Sequence, residues 1–495
     1  MRMLFQLIVG LLTARFVFNT LGVVDYGIYG VVGGVVAMFS FINGSMSNAT
    51  MRFLTFELGK GTNEKRLREI FSTAELIHWG IAVLILILAE TLGLWYVLNK
   101  LVFPPERLTA VLYLYHFSVI TTMTAIISVP FNAAIISHEK MGAFAFIAIY
   151  ETIANVLIIL TIPFFHKDNL ILYGFLVMMV QVSIRLIYGI YCKRNFSETS
   201  GRFYFDKTLF RQMLKFAFWI VNGSIAFMAY TQGLNLLLNA FFGPSVNAAR
   251  AVATTVQAKV QGFSYNFQVA VNPQITKNYA AGNLEYMHKL IFNSSKYSVL
   301  LVFFLSFPLM LECPFILKVW LGDNVPVETI WFVRLTLAIG IISTLTNPMN
   351  TSAHATGNIK KFQLWEATTL LLIVPVSYMF LKLGFPAVTV FWVQLVIFVL
   401  VQIIRIFIVS PMIKMKKYDY LRYVVFDSIK VILPSMLLPL YLEYFRPIHD
   451  ATVNFLVICV ASLVCTALCI YFFGLSHEVK QRIKMKVINS FLQEK

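Results

Sequence analysis

The sequence predicts an all-α polytopic membrane protein of about 14 transmembrane helices in two parallel-repeat lobes. Composition, the recurrence of span-length apolar runs and a repeat at constant offset carry that prediction. Of 495 residues, 59% are hydrophobic and 13% charged, at a mean hydropathy of +0.76, whereas charged residues make up roughly a quarter of a soluble domain. Apolar runs of roughly 18 to 25 residues recur from end to end, each long enough to cross about 30 Å of hydrocarbon as helix. They run continuously rather than alternating, which excludes a transmembrane β-barrel.

Charge clusters and Gly, Pro and Asn breaks place the spans at about 3–21, 27–56, 72–98, 108–136, 143–164, 170–192, 214–241, 247–275, 294–319, 328–351, 362–383, 386–410, 423–444 and 452–474. They group into an N-terminal lobe (1–192, six spans), a cytoplasmic linker (193–213) and a C-terminal lobe (214–412, six spans). Two additional spans (413–474) and a basic cytoplasmic tail (475–495) follow. Around the linker, "CKRNFSETSGRFYFDKTLFRQMLK" mixes Phe and Leu with Lys and Arg, a pattern suited to a helix lying on the membrane surface. Only Met1 and Arg2 precede the first apolar run, so a few further cytoplasmic residues are expected upstream.

Orientation follows from charge. Of the 40 Lys and Arg, 27 fall on one side of this scheme; Lys100, Arg107, Lys167, Arg250, Lys318, Lys382 and Arg446 fall on the other, and six lie within spans. The positive-inside rule makes both termini cytoplasmic. The net charge of +17 then signals topology and attraction to anionic lipid, not nucleic-acid binding.

A repeat at an offset of 221 residues joins the two lobes: "GKGTNEKRLREIFST" (59–73) lies over "AAGNLEYMHKLIFNS" (280–294). Gly61 falls on Gly282, Glu64 on Glu285, and Ile70 and Phe71 on Ile291 and Phe292; Gly22 falls on Gly243. One residue of slippage puts Asn19 on Asn239 and Arg15 on Asn235. Six spans separate the repeats, so both copies enter the membrane in the same direction. Parallel repeats of this kind usually enclose a midplane site that opens alternately to each side.

Ionisable groups at membrane depth are the candidate functional residues. The cations are Arg15, Arg52, Arg185, Lys259, Arg334 and Arg405. Arg405 and Arg185 lie near enough to their span ends to snorkel. Arg15 is roughly 9 Å from the outer end at Leu21, which leaves snorkelling and a cavity role both open. Arg52 fits either a cavity or a pair with Glu57. Lys259 is mid-span and out of reach of either end, so it is expected to line a wet cavity, with Thr255, Gly262 and Asn266 on its stripe. A second stripe, Gln257, Gln261, Ser264 and Gln268, lies roughly opposite, and one of the two must hydrogen-bond within the lobe.

Asn19, Asn235, Thr255, Asn266 and Arg334 are secondary cavity candidates. Small residues Gly33, Ala37, Ser40, Gly44 and Ser47 fit either close packing or a lateral gate. The buried acids Glu75, Glu151 and Glu366 are candidates for carrying H⁺ or helping to bind Na⁺, while the lone histidines read as satisfied core residues. The five cysteines show no metal or redox spacing, no cofactor is implied, and no GxxxxGK[ST] loop is present. Excess cations at depth suit an anion such as phosphate or pyrophosphate.

The segment "TARFVFNTLGVVDYGIYGVVGGVVAMFSFINGSMSNATMRFLTFELGKG" resembles the N-terminal signature of Wzx-type polysaccharide flippases. These belong to the multidrug/oligosaccharidyl-lipid/polysaccharide exporter superfamily, which includes the multidrug and toxic-compound exporters. The resemblance implies that fold, a bacterial inner-membrane location, and translocation of an undecaprenyl-pyrophosphate-linked oligosaccharide for surface polysaccharide or lipopolysaccharide biosynthesis. It further implies cavity cations on the first, second and eighth spans, matching Arg15, Arg52 and Lys259. The implied partners are the polyprenyl-pyrophosphate-linked glycan, membrane lipid, H⁺ or Na⁺ and other polysaccharide assembly proteins, with no nucleic acid. A cation-coupled multidrug exporter would need a key buried acid, which the excess of cations disfavours. A membrane polysaccharide polymerase or ligase would need a large outer loop.

Overall fold

The structure, a computed structural model, describes residues 41–61, 63–101, 103–162, 168–200, 204–322, 328–446 and 450–475, with scattered positions before 41 and after 479. Among the described residues, 11 helices are long and apolar enough to cross a membrane, from Glu64–Asn99 to Ala451–Gly474. Each overlaps one predicted span. The second and eighth predicted spans correspond to Phe41–Lys60 and Pro244–Ala280, which are helices but more polar. Much of the first predicted span lies outside the described residues.

The chain divides into two compact units, 1–224 and 225–495, and the division falls inside the helix Lys207–Phe242. That helix is continuous from Lys207, so the expected surface-lying segment is instead collinear with the span that follows it. A side-chain cap and a tether hold its start: Asp206 accepts from the Thr208 and Leu209 amides and pairs with Arg66 at 3.0 Å.

In the first unit, Leu108–Ser137 and Asn169–Asn195 carry much of the packing, around Val111, Leu114, Tyr115 and Leu170. Arg107 ties Asp25 to Asp168, at 2.9 Å from its Nε to the first and 2.5 Å from its Nη1 to the second. This cross-link pins Asp25 to the start of Asn169–Asn195. In the second unit the largest core gathers Leu234, Ala253, Phe332, Ile373 and Phe391. The rings of Phe332 and Phe391 stand 4.3 Å apart.

The repeat is visible in the backbone. Gly61 and Gly282 have φ of 103° and 77°, and Gly22 and Gly243 have φ of 78° and 80°. Each pair occupies the left-handed region open to glycine. Helices begin just after both members of the first pair, at Glu64 and Leu284. A Cβ added at either Gly61 or Gly282 would meet nothing within 4 Å, so a substitution there is strained by conformation alone.

Gly61→Val and Gly282→Val are therefore expected to destabilise by about 1–2 kcal/mol each, with Asn substitutions costing less, as read by thermal unfolding in detergent. The Arg66 guanidinium, followed by the Leu209 and Thr208 amides, holds the Asp206 carboxyl below its usual 3.8. A depressed acid contributes stability above its unfolded value and loses it as pH falls through the folded one. The melting temperature should thus drop below about pH 4, and Asp206→Asn should flatten that drop.

Candidate functional site: two polar faces of one helix

The helix Pro244–Ala280 presents the two stripes expected from its sequence in opposite ways. Gln257, Gln261, Ser264 and Gln268 turn into the second unit, where Ser264 and Gln268 are buried. Thr255 and Lys259 are exposed, and Gly262 and Asn266 are half-buried.

The inward stripe serves a broken helix. Span Glu328–Thr356 is interrupted between Ser343 and Thr346. Pro348 has no N–H to donate to the carbonyl four residues earlier, at Thr344. Gln268 Nε2 donates to that carbonyl instead, at 2.8 Å, and to Ser298 Oγ at 2.9 Å, while its Oε1 accepts from Asn347 at 3.0 Å. Gln261 Nε2 donates to the Gly340 carbonyl at 3.2 Å and to Ser343 Oγ. Irregular backbone at membrane depth is tolerated where it is buried in protein or lines a polar cavity, and both conditions hold here.

The cavity beside the break has a volume of about 340 Å³ and is lined by Gln261, Ser264, Gln268, Asn350, Glu366 and Arg405, among others. Arg405 is 4% exposed. Its Nη1 donates to Thr346 Oγ1 at 2.9 Å and to Gln402 Oε1, and its Nη2 donates to Glu366 Oε1. The expectation that Arg405 snorkels is corrected: a carboxylate on the neighbouring span supplies the partner that water would otherwise provide. Glu366 Oε2, Arg405 Nε, Ser264 Oγ and Asn350 Oδ1 have no protein partner. With its charges paired, the cavity offers both donors and acceptors at zero net charge.

The outward face has another character. Between Ser245 and Lys259 its fully exposed residues are Ser245, Ala248, Ala251, Thr255, Ala258 and Lys259, with Val252, Val256 and Phe263 half-buried beside them and Tyr265 exposed further along. Helix Ala451–Cys469, by contrast, exposes Val453, Leu456, Val460, Val464 and Leu468. The second pattern suits lipid and the first does not. Among the described residues, Lys259 has no hydrogen bond or ion pair; Thr255 donates to Ala251 O at 2.8 Å and Asn266 to Gly262 O at 2.9 Å.

The other candidates are distributed. Arg15 and Asn19 lie outside the described residues, as do Gly33, Ala37 and Ser40 of the small-residue stripe. Arg52, in the first unit, stands over the rings of Phe53, Phe56 and Phe216 at 4.7, 4.6 and 5.4 Å, a cation–π cage around its guanidinium. Asn235 accepts from Arg250, which also donates to the Thr231 carbonyl at 3.1 Å. Arg250 itself, counted with the outer-side cations, is buried at 5% exposure in the second turn of its helix. Arg334 reaches the Met310 and Leu311 carbonyls at 2.8 and 3.3 Å, capping the end of Leu284–Leu311 rather than lining the cavity.

Each buried acid has a partner as well. Glu75 stands 3.9 Å from Arg185, whose guanidinium lies 3.9 Å from the Phe131 ring centroid, and Glu151 accepts from Gln181 at 3.0 Å. Arg185 is thus engaged inside the unit rather than snorkelling.

No protein-family model and no curated protein matches the sequence. The solved structures do: the chain has the all-α, two-lobed fold of the MATE transporters. It is similar to the MATE transporter VcmN of Vibrio cholerae in its bent form, at 13% identity and a TM-score of 0.70 over 86% of this chain and 96% of that one. The MATE transporter ClbM in complex with Rb⁺ matches at 14% identity and a TM-score of 0.65, over 83% of this chain and 95% of that one. A MOP-superfamily transporter of Pyrococcus furiosus, whose binding pocket of reverse polarity suggests a different function, matches at 12% identity and a TM-score of 0.65, over 83% and 94%. At these identities the likeness is one of fold.

Breaking the buried pair with Arg405→Leu should destabilise by about 3–5 kcal/mol, while Arg405→Leu with Glu366→Leu should recover most of that loss. Thermal unfolding of the single and double variants in detergent reads the difference.

Proposed function

We propose that this protein is a flippase that carries an undecaprenyl-pyrophosphate-linked oligosaccharide from the inner to the outer leaflet of the bacterial inner membrane by alternating access, for surface polysaccharide or lipopolysaccharide biosynthesis. The observation that supports it most directly is Lys259, an exposed mid-helix cation with no partner among the described residues, on a face whose fully exposed positions between Ser245 and Lys259 are otherwise Ser, Ala and Thr. An ammonium there needs water and an anion, and small neighbours leave room for a bulky ligand. The resemblance of the N-terminal segment adds Arg15 and Arg52 as further pyrophosphate ligands. Asn19, Asn235, Thr255 and Asn266 supply polar groups toward the sugar, and other polysaccharide assembly proteins receive the product. An H⁺ or Na⁺ gradient is the proposed driving force, with Glu75, Glu151 and Glu366 as the acids available to couple it.

The test is flipping of a fluorescent polyprenyl-pyrophosphate glycan in liposomes holding the purified protein. Lys259→Ala and Arg15→Ala should each slow flipping at least tenfold, which corresponds to losing about 1.4 kcal/mol of ligand stabilisation, and Lys259→Arg should retain a large part of the rate. Unchanged flipping in the double variant would remove the cation assignment. The MATE fold itself favours a second reading, a cation-coupled exporter. Efflux of a cationic dye by the same liposomes, with no glycan flipping, would establish that reading instead.

A further inference from the structure

The first unit has a groove that the flippase reading does not use. The opening turns of Lys207–Phe242 form one wall of a space of about 720 Å³, with Met46, Ile81, Phe210, Leu214, Phe218 and Val221 as apolar lining and Lys207, Arg211 and Lys215 on its rim. The three cations are four residues apart, so they share one helix face. Among the described residues none of them has an acid partner, and the groove lining contains no acid.

Their position is electrostatically adverse in isolation. They stand at the positive end of a helix whose first turn carries no acidic residue. Asp206, the nearest carboxylate, is committed to Arg66 and to two backbone amides. Net positive charge therefore adjoins an apolar channel, a combination that suits an amphiphile with an anionic head.

Depth narrows the occupant. A helix of 36 residues is about 54 Å long, well beyond the roughly 30 Å hydrocarbon core. Its apolar run begins near residue 214, so Lys207 to Lys215 stand in the headgroup layer and Leu214, Phe218 and Val221 in hydrocarbon. From Lys207 to Val221 is roughly 21 Å along the axis, and the apolar part ends within one leaflet. That length suits the acyl chain of an ordinary membrane lipid and is overrun by a long polyprenyl chain.

We propose that this groove holds one anionic diacyl phospholipid, its phosphate among Lys207, Arg211 and Lys215 and an acyl chain along Phe210, Leu214 and Phe218. Native mass spectrometry of the full chain, titrated with phosphatidylglycerol or phosphatidylcholine, tests this. One phosphatidylglycerol should bind about a hundredfold more tightly than phosphatidylcholine, and Lys207→Gln, Arg211→Gln and Lys215→Gln should each weaken it about fivefold. These rim residues are exposed, so the variants should keep the parental melting temperature. The charge-matched variant Lys414→Gln/Lys416→Gln/Lys417→Gln should bind as the parent does. An equal loss in that control, no loss in the rim variants, or displacement of the phospholipid by equimolar undecaprenyl phosphate would overturn the proposal.

Discussion

A polar group inside a bilayer cannot fall back on water, and this one constraint organises both units. Gln268 replaces the amide that Pro348 lacks, Arg405 finds Glu366, and Arg250 finds Asn235 and the Thr231 carbonyl. Arg52, in the first unit, settles on phenylalanine rings. Each of these contacts lies within one unit. On the polar helix Pro244–Ala280, pairing of this kind is met by Arg250, Gln261 and Gln268.

Against that background an unpaired group is informative. Among the described residues Lys259 has no partner, although it sits on the same helix as the well-satisfied Gln261 and Gln268; it stands on the opposite face, with Thr255 and Gly262 on its stripe. The inner face holds the unit together, and the outer face leaves Lys259 and Thr255 exposed. The paired Glu366 and Arg405 make the internal cavity neutral, whereas the Lys259 face keeps a positive charge. The two surfaces are therefore suited to different tasks: a closed, donor-and-acceptor environment on one side, and attraction of an anion on the other.

Much of the architecture was legible in the sequence because hydropathy acts over 20-residue windows and does not depend on partners. Eleven spans emerged from that signal together with the charge clusters and breaks between runs, and the repeat from residues matched at a constant offset, Gly61 with Gly282 and Gly22 with Gly243. Partnerships were not legible. Arg405 looked like a snorkelling residue because its distance from the span end can be counted, whereas Glu366, its partner, lies on a neighbouring span 39 residues earlier. Arg250 was counted with the outer-side cations because it stands three residues inside the expected start of its span, whereas its helix begins at Pro244 and its partner Asn235 lies on the preceding helix. A signal for the Arg405 site was present in Gln402, one helical turn before it, and in Pro348, whose missing amide required a donor from elsewhere. The two polar stripes on Pro244–Ala280 were readable as opposite faces, but which of them packed inward depended on the break at Thr344.

The left-handed glycines bear on inheritance. Gly22 and Gly243, like Gly61 and Gly282, set their connectors by backbone conformation alone, with open space where a side chain would be. Between such anchors, one aliphatic residue can replace another as long as a helix stays apolar on the correct face. Sequence can then drift until no family model responds, while the path of the chain is preserved, which is how a fold can be shared across more than four-fifths of the chain at only 12–14% identity. In this chain the bends at these four positions are set by a backbone conformation that glycine adopts most easily, whichever aliphatic residues fill the helices between them.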